Sequence, residues 1–91
     1  MGTDPLHNSL PIEKLLNLGP KSAHWLEQVG IRTLEDLKQT GAIAAYLLVK
    51  QQQPRCSLDL LYALQGALSG IHWNQLSEKT RQQLRAAAHN E

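Results

Sequence analysis

Leu15-Leu16-Asn17-Leu18-Gly19-Pro20-Lys21-Ser22-Ala23 is the stretch whose reading decides the fold of this chain. An apolar run reaches Asn17, a residue that tolerates the left-handed conformation in which helices often end. Gly19 and Pro20 then open a new helix, because proline suits a first turn whose N–H has no intrahelical partner. Small Ala23 lets two helices come close. The stretch therefore reads as two helices meeting at a tight turn. Backbone amides in the first turn of the second helix are unpaired and point outward. The helix dipole adds partial positive charge there, and a phosphate suits such a place. Lys21 adds a mobile cation. Leu18, Gly19, Lys21 and Ser22 are the candidate phosphate or nucleic-acid contacts. Asn17 crowds the approach and Pro20 removes one donor, so the alternative is a packing device that binds nothing.

Outward from this turn the chain reads as helices throughout. Residues 1–9 carry Gly, Pro, Asp and Asn without periodicity and read as a flexible leader; residues 10–88 read as one domain. Ser9 is placed to cap a short first helix through Pro11, Ile12, Leu15 and Leu16 that ends at Asn17. The second helix presents Ser22, Ala23, Leu26 and Val29 on one face and stops at Gly30. Thr33 and Asp36 resemble a capping box for a third helix from Leu34, ended by Gly41. A fourth helix spans about Ala42 to Gln52, with Ile43, Ala44, Leu47 and Leu48 as its expected inner stripe. Ser57 caps a fifth, which carries Leu58, Leu60, Leu61, Leu64, Ala67 and Leu68 and is expected to be the most buried. Gly66 inside it costs about 1 kcal/mol against Ala, so a neighbouring backbone or ring is expected to come close there. After Gly70 a turn is expected to return Trp73 and Leu76 to the core, and Ser77 caps a last helix held by Leu84. No alternating strand pattern appears. The fold class is all-α: a bundle of roughly five to six short helices.

Composition limits the function. Ninety-one residues make one domain, with 42% hydrophobic and 19% charged residues and a formal net charge of +1. That balance is globular, and it lacks the basic excess of a protein that grips nucleic acid by charge alone. Any DNA contact is then local or weak. The single cysteine, Cys56, excludes an internal disulfide and fits a reducing cytosol. No apolar run approaches the ~18 residues of a membrane span, and no signal pattern is present, so a cytoplasmic protein is expected.

No catalytic constellation stands out, and no enzyme activity, cofactor or metal is expected. His7, His24, His72 and His89 lack ligand spacing. Glu35 and Asp36 read as charges at a helix start. Cys56 precedes a helix N-terminus that could lower its pKa, although a structural role fits it better. Trp25, Tyr46, Tyr62 and Trp73 are scattered too widely for a base-stacking platform. The broad apolar surface of the fifth helix leaves a second possibility, a protein partner or a second copy of the chain.

The run Leu16-Asn17-Leu18-Gly19-Pro20-Lys21-Ser22-Ala23 resembles a helix-hairpin-helix, with Asn17 in place of the first hairpin glycine. Together with Gly30-Ile31, Leu37 and Gly41-Ala42, and with the later Leu60-Leu61-Tyr62-Ala63-Leu64-Gln65-Gly66-Ala67-Leu68-Ser69-Gly70-Ile71-His72-Trp73-Asn74-Gln75-Leu76, it resembles the C-terminal domain of the TfoX/Sxy family of bacterial competence regulators. The likeness covers roughly residues 10 to 85. It implies an all-helical, SAM-domain-like, helix-hairpin-helix core. It also implies a non-enzymatic binding module in a transcription-regulatory or DNA-uptake setting. The partner expected is DNA, held weakly by its backbone, or another protein, with the chain a monomer or homodimer.

Overall fold

The computed structural model describes residues 10–89, and the expectations for the leader, for Ser9 as a cap and for His7 lie outside them. Five α-helices follow in order: α1 (Pro20–Gln28), α2 (Leu34–Thr40), α3 (Ala42–Gln52), α4 (Leu58–Ser69) and α5 (Glu78–His89). Two 3-10 turns complete the set, η1 (Ile12–Lys14) before α1 and η2 (Trp73–Gln75) between α4 and α5. Among the described residues there is no strand, only an isolated bridge between Pro11 and Thr33. The all-α class holds.

The expected first helix is reduced to η1. Pro11 is extended (φ −59°, ψ 144°) and Leu15 is extended again (φ −78°, ψ 148°). Proline pushes the residue before it out of the helical region, which favours an extended Leu10-Pro11. The freed backbone pairs with the segment before α2: the Ile12 N–H donates to the Arg32 carbonyl (2.9 Å), and the Leu34 N–H donates to the Leu10 carbonyl (3.0 Å). Leu16, expected in the helix, is exposed.

The capping box at α2 is present. The Asp36 N–H donates to Thr33 Oγ1 (3.2 Å), and Asp36 Oδ2 accepts from the N–H groups of Arg32 (2.9 Å) and Thr33 (3.2 Å). The Arg32 amide first, with help from Thr33, holds the Asp36 carboxyl below its ordinary value against the opposing effect of burial. At α1 the chain stops as expected: Gly30 has φ +88°, and the Ile31 N–H reaches back to the Leu26 carbonyl (2.9 Å).

The core lies between α4 and everything else. Leu61 and Leu64 of α4 are fully buried with Ile12, Leu26, Leu37 and Val49, each contributing about 1.5–3 kcal/mol by leaving water. Helix α4 packs on α3, α5, α2 and η2, so its wide apolar surface is largely covered, with Leu58 exposed at its first turn and Ala67 and Leu68 half-buried near its end. Helix α3 docks by a different face from the one expected. Ala42, Ala45, Tyr46 and Val49 are buried, whereas Leu48 and Ala44 face outward and Ile43 and Leu47 are half-buried. The helix is apolar nearly all round, so periodicity alone could not choose, and the face with two alanines lets the helix axes approach. Trp73 is a second correction. Only Leu76 returns to the core, while Trp73 is 39% exposed. Helix α5 has more anchorage than Leu84 alone. Arg85 Nη1 donates to the Tyr62 hydroxyl (3.0 Å) and Arg85 Nη2 pairs with Glu78 (3.0 Å). Arg81 lies 5.6 Å from the ring centres of both Tyr62 and Trp73.

Gly66 is where α4 meets its neighbours most closely. A Cβ on it would lie 2.5 Å from Asn17 Nδ2 and 2.8 Å from the Ile71 carbonyl oxygen. Gly66→Ala would raise helix propensity by about 1 kcal/mol, yet overpacking of this kind costs about 1–3 kcal/mol and here also displaces Asn17. The expected result is a lower urea midpoint, not a higher one. In the same assay Thr33→Ala should lose about 1 kcal/mol with the cap. Because the folded-state pKa of Asp36 is depressed, its contribution is present above the unfolded carboxylate pKa and is lost as pH falls through the folded value. Asp36→Asn should therefore flatten the acid limb of stability against pH in thermal melts.

Candidate functional site

Asn17 has the left-handed backbone expected of it (φ 75°) and is the one described non-glycine residue with positive φ. Its side chain turns inward and ties the hairpin to the far end of α4. Nδ2 donates to the Ile71 carbonyl (3.0 Å) and, longer, to the Ala63 carbonyl (3.4 Å), and Oδ1 accepts from the Trp73 N–H (3.1 Å). This amide bridges three backbone groups more than forty residues away in sequence. The absent side chain of Gly66 leaves the room for it.

The latch brings η2 beside the start of α1, and a polar groove of about 400 Å³ opens there. Lys21 and Ser22 from α1, Arg55 and Ser57 from just before α4, Asp59 from its first turn, and Trp25 and Trp73 line it. Gly19, the N-cap of α1, supplies no side-chain cap, and the amides of Lys21 and Ser22 have no intrahelical acceptor. Lys21 Nζ lies 5.1 Å from the Trp25 ring centre, a cation–π distance. Of the four residues named from sequence, Gly19 and Lys21 are exposed and Ser22 is half-buried. Leu18 is different: its side chain is buried, and its N–H donates to the Leu15 carbonyl (3.2 Å).

Sequence reasoning did not place Arg55, Asp59, Trp25 or Trp73 at this groove. Its one usable signal was Gly66 inside an apolar helix, which marks a close neighbour without saying which one. Cys56, which also lines the groove, is a buried free thiol, and burial pushes it up against a weaker lowering effect of Lys50, in keeping with the structural role read from the sequence. His24 shares a hydrogen bond with Gln28 (3.2 Å). Among the described residues no three His, Cys, Asp or Glu side chains gather as a metal site would require.

Fold and groove together define a small all-helical domain with one cationic, aromatic-walled cleft beside its hairpin. The profile of the TfoX C-terminal domain matches residues 8–88, and the chain belongs to that family. Two solved structures from Listeria monocytogenes are similar to it. One, an uncharacterized protein in a triclinic form, is 30% identical with a TM-score of 0.82, covering 88% of this chain and 91% of its own. The other, a protein of unknown function in a tetragonal form, is 30% identical with a TM-score of 0.81, covering 87% and 98%. No curated protein matches the chain significantly.

The latch can be separated from the backbone geometry by two substitutions. Asn17→Ala loses all three hydrogen bonds and also strains a positive φ; Asn17→Gly loses the bonds but relaxes the backbone. Chemical denaturation should show Asn17→Ala destabilised by about 2–4 kcal/mol. Asn17→Gly should recover about 1 kcal/mol of that and no more. Full recovery by glycine would mean that the latch contributes nothing.

Proposed function

We propose that this chain is a non-enzymatic binding module that holds nucleic-acid backbone phosphate at the hairpin, in the manner of a helix-hairpin-helix, and works in the cytoplasm in a transcription-regulatory or DNA-uptake setting. One observation carries the reading. Lys21, at the start of α1, and Arg55, just before α4, line one groove, so two cations from distant parts of the chain address one cleft. Lys21 and Ser22 line the groove, Gly19 is the exposed N-cap of α1 beside it, and Leu18 anchors the turn in the core. Membership of the TfoX C-terminal family supports a regulatory setting. Such contacts fix position on a strand without reading its sequence. With a net charge of +1 the affinity is modest. Among the described residues no helix is long and apolar enough to cross a membrane.

A second reading has its own observation. The outward stripe of α3, centred on Leu47 and Leu48, continues across apolar hollows towards Leu58 and Ala88. It offers a contact for another protein or a second copy. The apolar surface available for this belongs to α3, since α4 is largely covered.

Fluorescence anisotropy with a labelled oligonucleotide, from about 50 to 200 mM salt, tests the first reading. Binding should weaken with salt, and Lys21→Ala or Arg55→Ala should each reduce the log–log slope by about 1. No binding at the low-salt end, or binding indifferent to both substitutions, would sink it. Light scattering at high protein concentration tests self-association, and a strictly monomeric mass counts against the homodimer.

A further inference from the structure

We infer that the groove takes an unpaired strand in preference to a duplex, with one phosphate between Lys21 and Arg55 and a base against the indole of Trp73. This rests on the nucleic-acid reading of the same groove and adds to it which form of nucleic acid is bound. The chain has two tryptophans and no phenylalanine, and both indoles line this one cleft. Trp73 is the more exposed, at 39%, yet it is firmly held. Its backbone N–H donates to Asn17 Oδ1, its backbone carbonyl accepts from Arg81 Nη2 (3.4 Å), and the Arg81 guanidinium lies 5.6 Å from its ring centre. A large, partly exposed ring carried on an anchored backbone and backed by a guanidinium is a preorganised stacking surface.

Duplex DNA offers such a groove only its phosphates, because its bases are stacked on one another. An unpaired strand offers a phosphate and a free base face together, and base–aromatic stacking tolerates any base. The volume of about 400 Å³ lies at the small end of ligand sites and suits one nucleotide rather than several. Asp59, on the Arg55 side, opposes a second phosphate and leaves a carboxylate to accept from a base amine. A phosphorylated peptide would satisfy Lys21 and Arg55 but leave the indole unused.

The two tryptophans are also the reporters. The intact chain at low salt is titrated with an oligothymidylate of about ten nucleotides and, separately, with a blunt duplex of equal length. The expected result is quenching of tryptophan emission by the single strand, with binding about tenfold tighter than to the duplex. Trp73→Leu should weaken single-strand binding about tenfold and leave duplex binding as it was, while Trp73→Phe, which keeps a ring, should retain most of the affinity. Circular dichroism melts check that both variants are folded; if Trp73→Leu is not, the Trp73→Phe titration and the strand preference of the unaltered chain still decide. Equal or tighter duplex binding with unchanged emission overturns the inference and leaves the phosphate-binding reading standing. Failure of both nucleic acids to bind removes this inference and the phosphate-binding reading together. Equal quenching by a phosphoserine peptide shows a phosphate site with no preference for a nucleotide and also overturns it.

Discussion

The Asn17 carboxamide joins the two halves of this fold. It reaches from a turn with a left-handed backbone across to the end of α4, where it donates to the Ile71 and Ala63 carbonyls and accepts from the Trp73 N–H. Hydrogen bonds between apolar layers contribute little net when made but cost much when one partner is missing. The arrangement is therefore more important for uniqueness than for total stability. It fixes the angle of the hairpin against α4, and it requires that position 66 have no side chain. Asn17 and Gly66 are one device split across the chain, and neither is understandable without the other.

The same device shapes the groove. By holding the Trp73 amide it sets η2 beside α1, so that an indole, Lys21 and Arg55 share one cleft. A glycine in the first hairpin position would supply the left-handed turn but no carboxamide. In this chain the turn residue also supplies the carboxamide that holds η2, and Asn17 and Trp73 both line the groove. Arg81 completes the wall from behind, placed between the rings of Tyr62 and Trp73. Its Nε is buried without a hydrogen-bond partner, an unmade bond that the two ring contacts offset in part.

Helix α3 shows how little a uniform apolar helix says about its own orientation. Two stripes compete, one of Ala42, Ala45, Tyr46 and Val49 and one of Ile43, Ala44, Leu47 and Leu48. The smaller stripe lies inward, because alanines let α4 approach and Tyr46 fills the remaining depth. Of the other stripe, Ile43 and Leu47 are half-buried against the core and Leu48 and Ala44 are exposed.

Read alone, the sequence settled the elements whose signals are local. Thr33 with Asp36, Ser57, Pro20 and the positive-φ glycines Gly30 and Gly70 place the helix ends, and Asn17 has its expected left-handed turn, by short-range hydrogen bonding and backbone sterics, which depend on a few neighbouring residues. The all-helical class and the central burial of α4 follow from composition and periodicity in the same way. The structure decided what depends on contacts between residues far apart in the chain. These are the shortening of the first helix to η1 through pairing with the segment before α2, the face by which α3 docks, the exposure of Trp73, and the meeting of Arg55 with Lys21 across one groove. Gly66 lies between the two. Its place in an apolar helix announced a close neighbour, but only the packed structure identifies it as the amide of Asn17, because a missing side chain records the space and not its occupant.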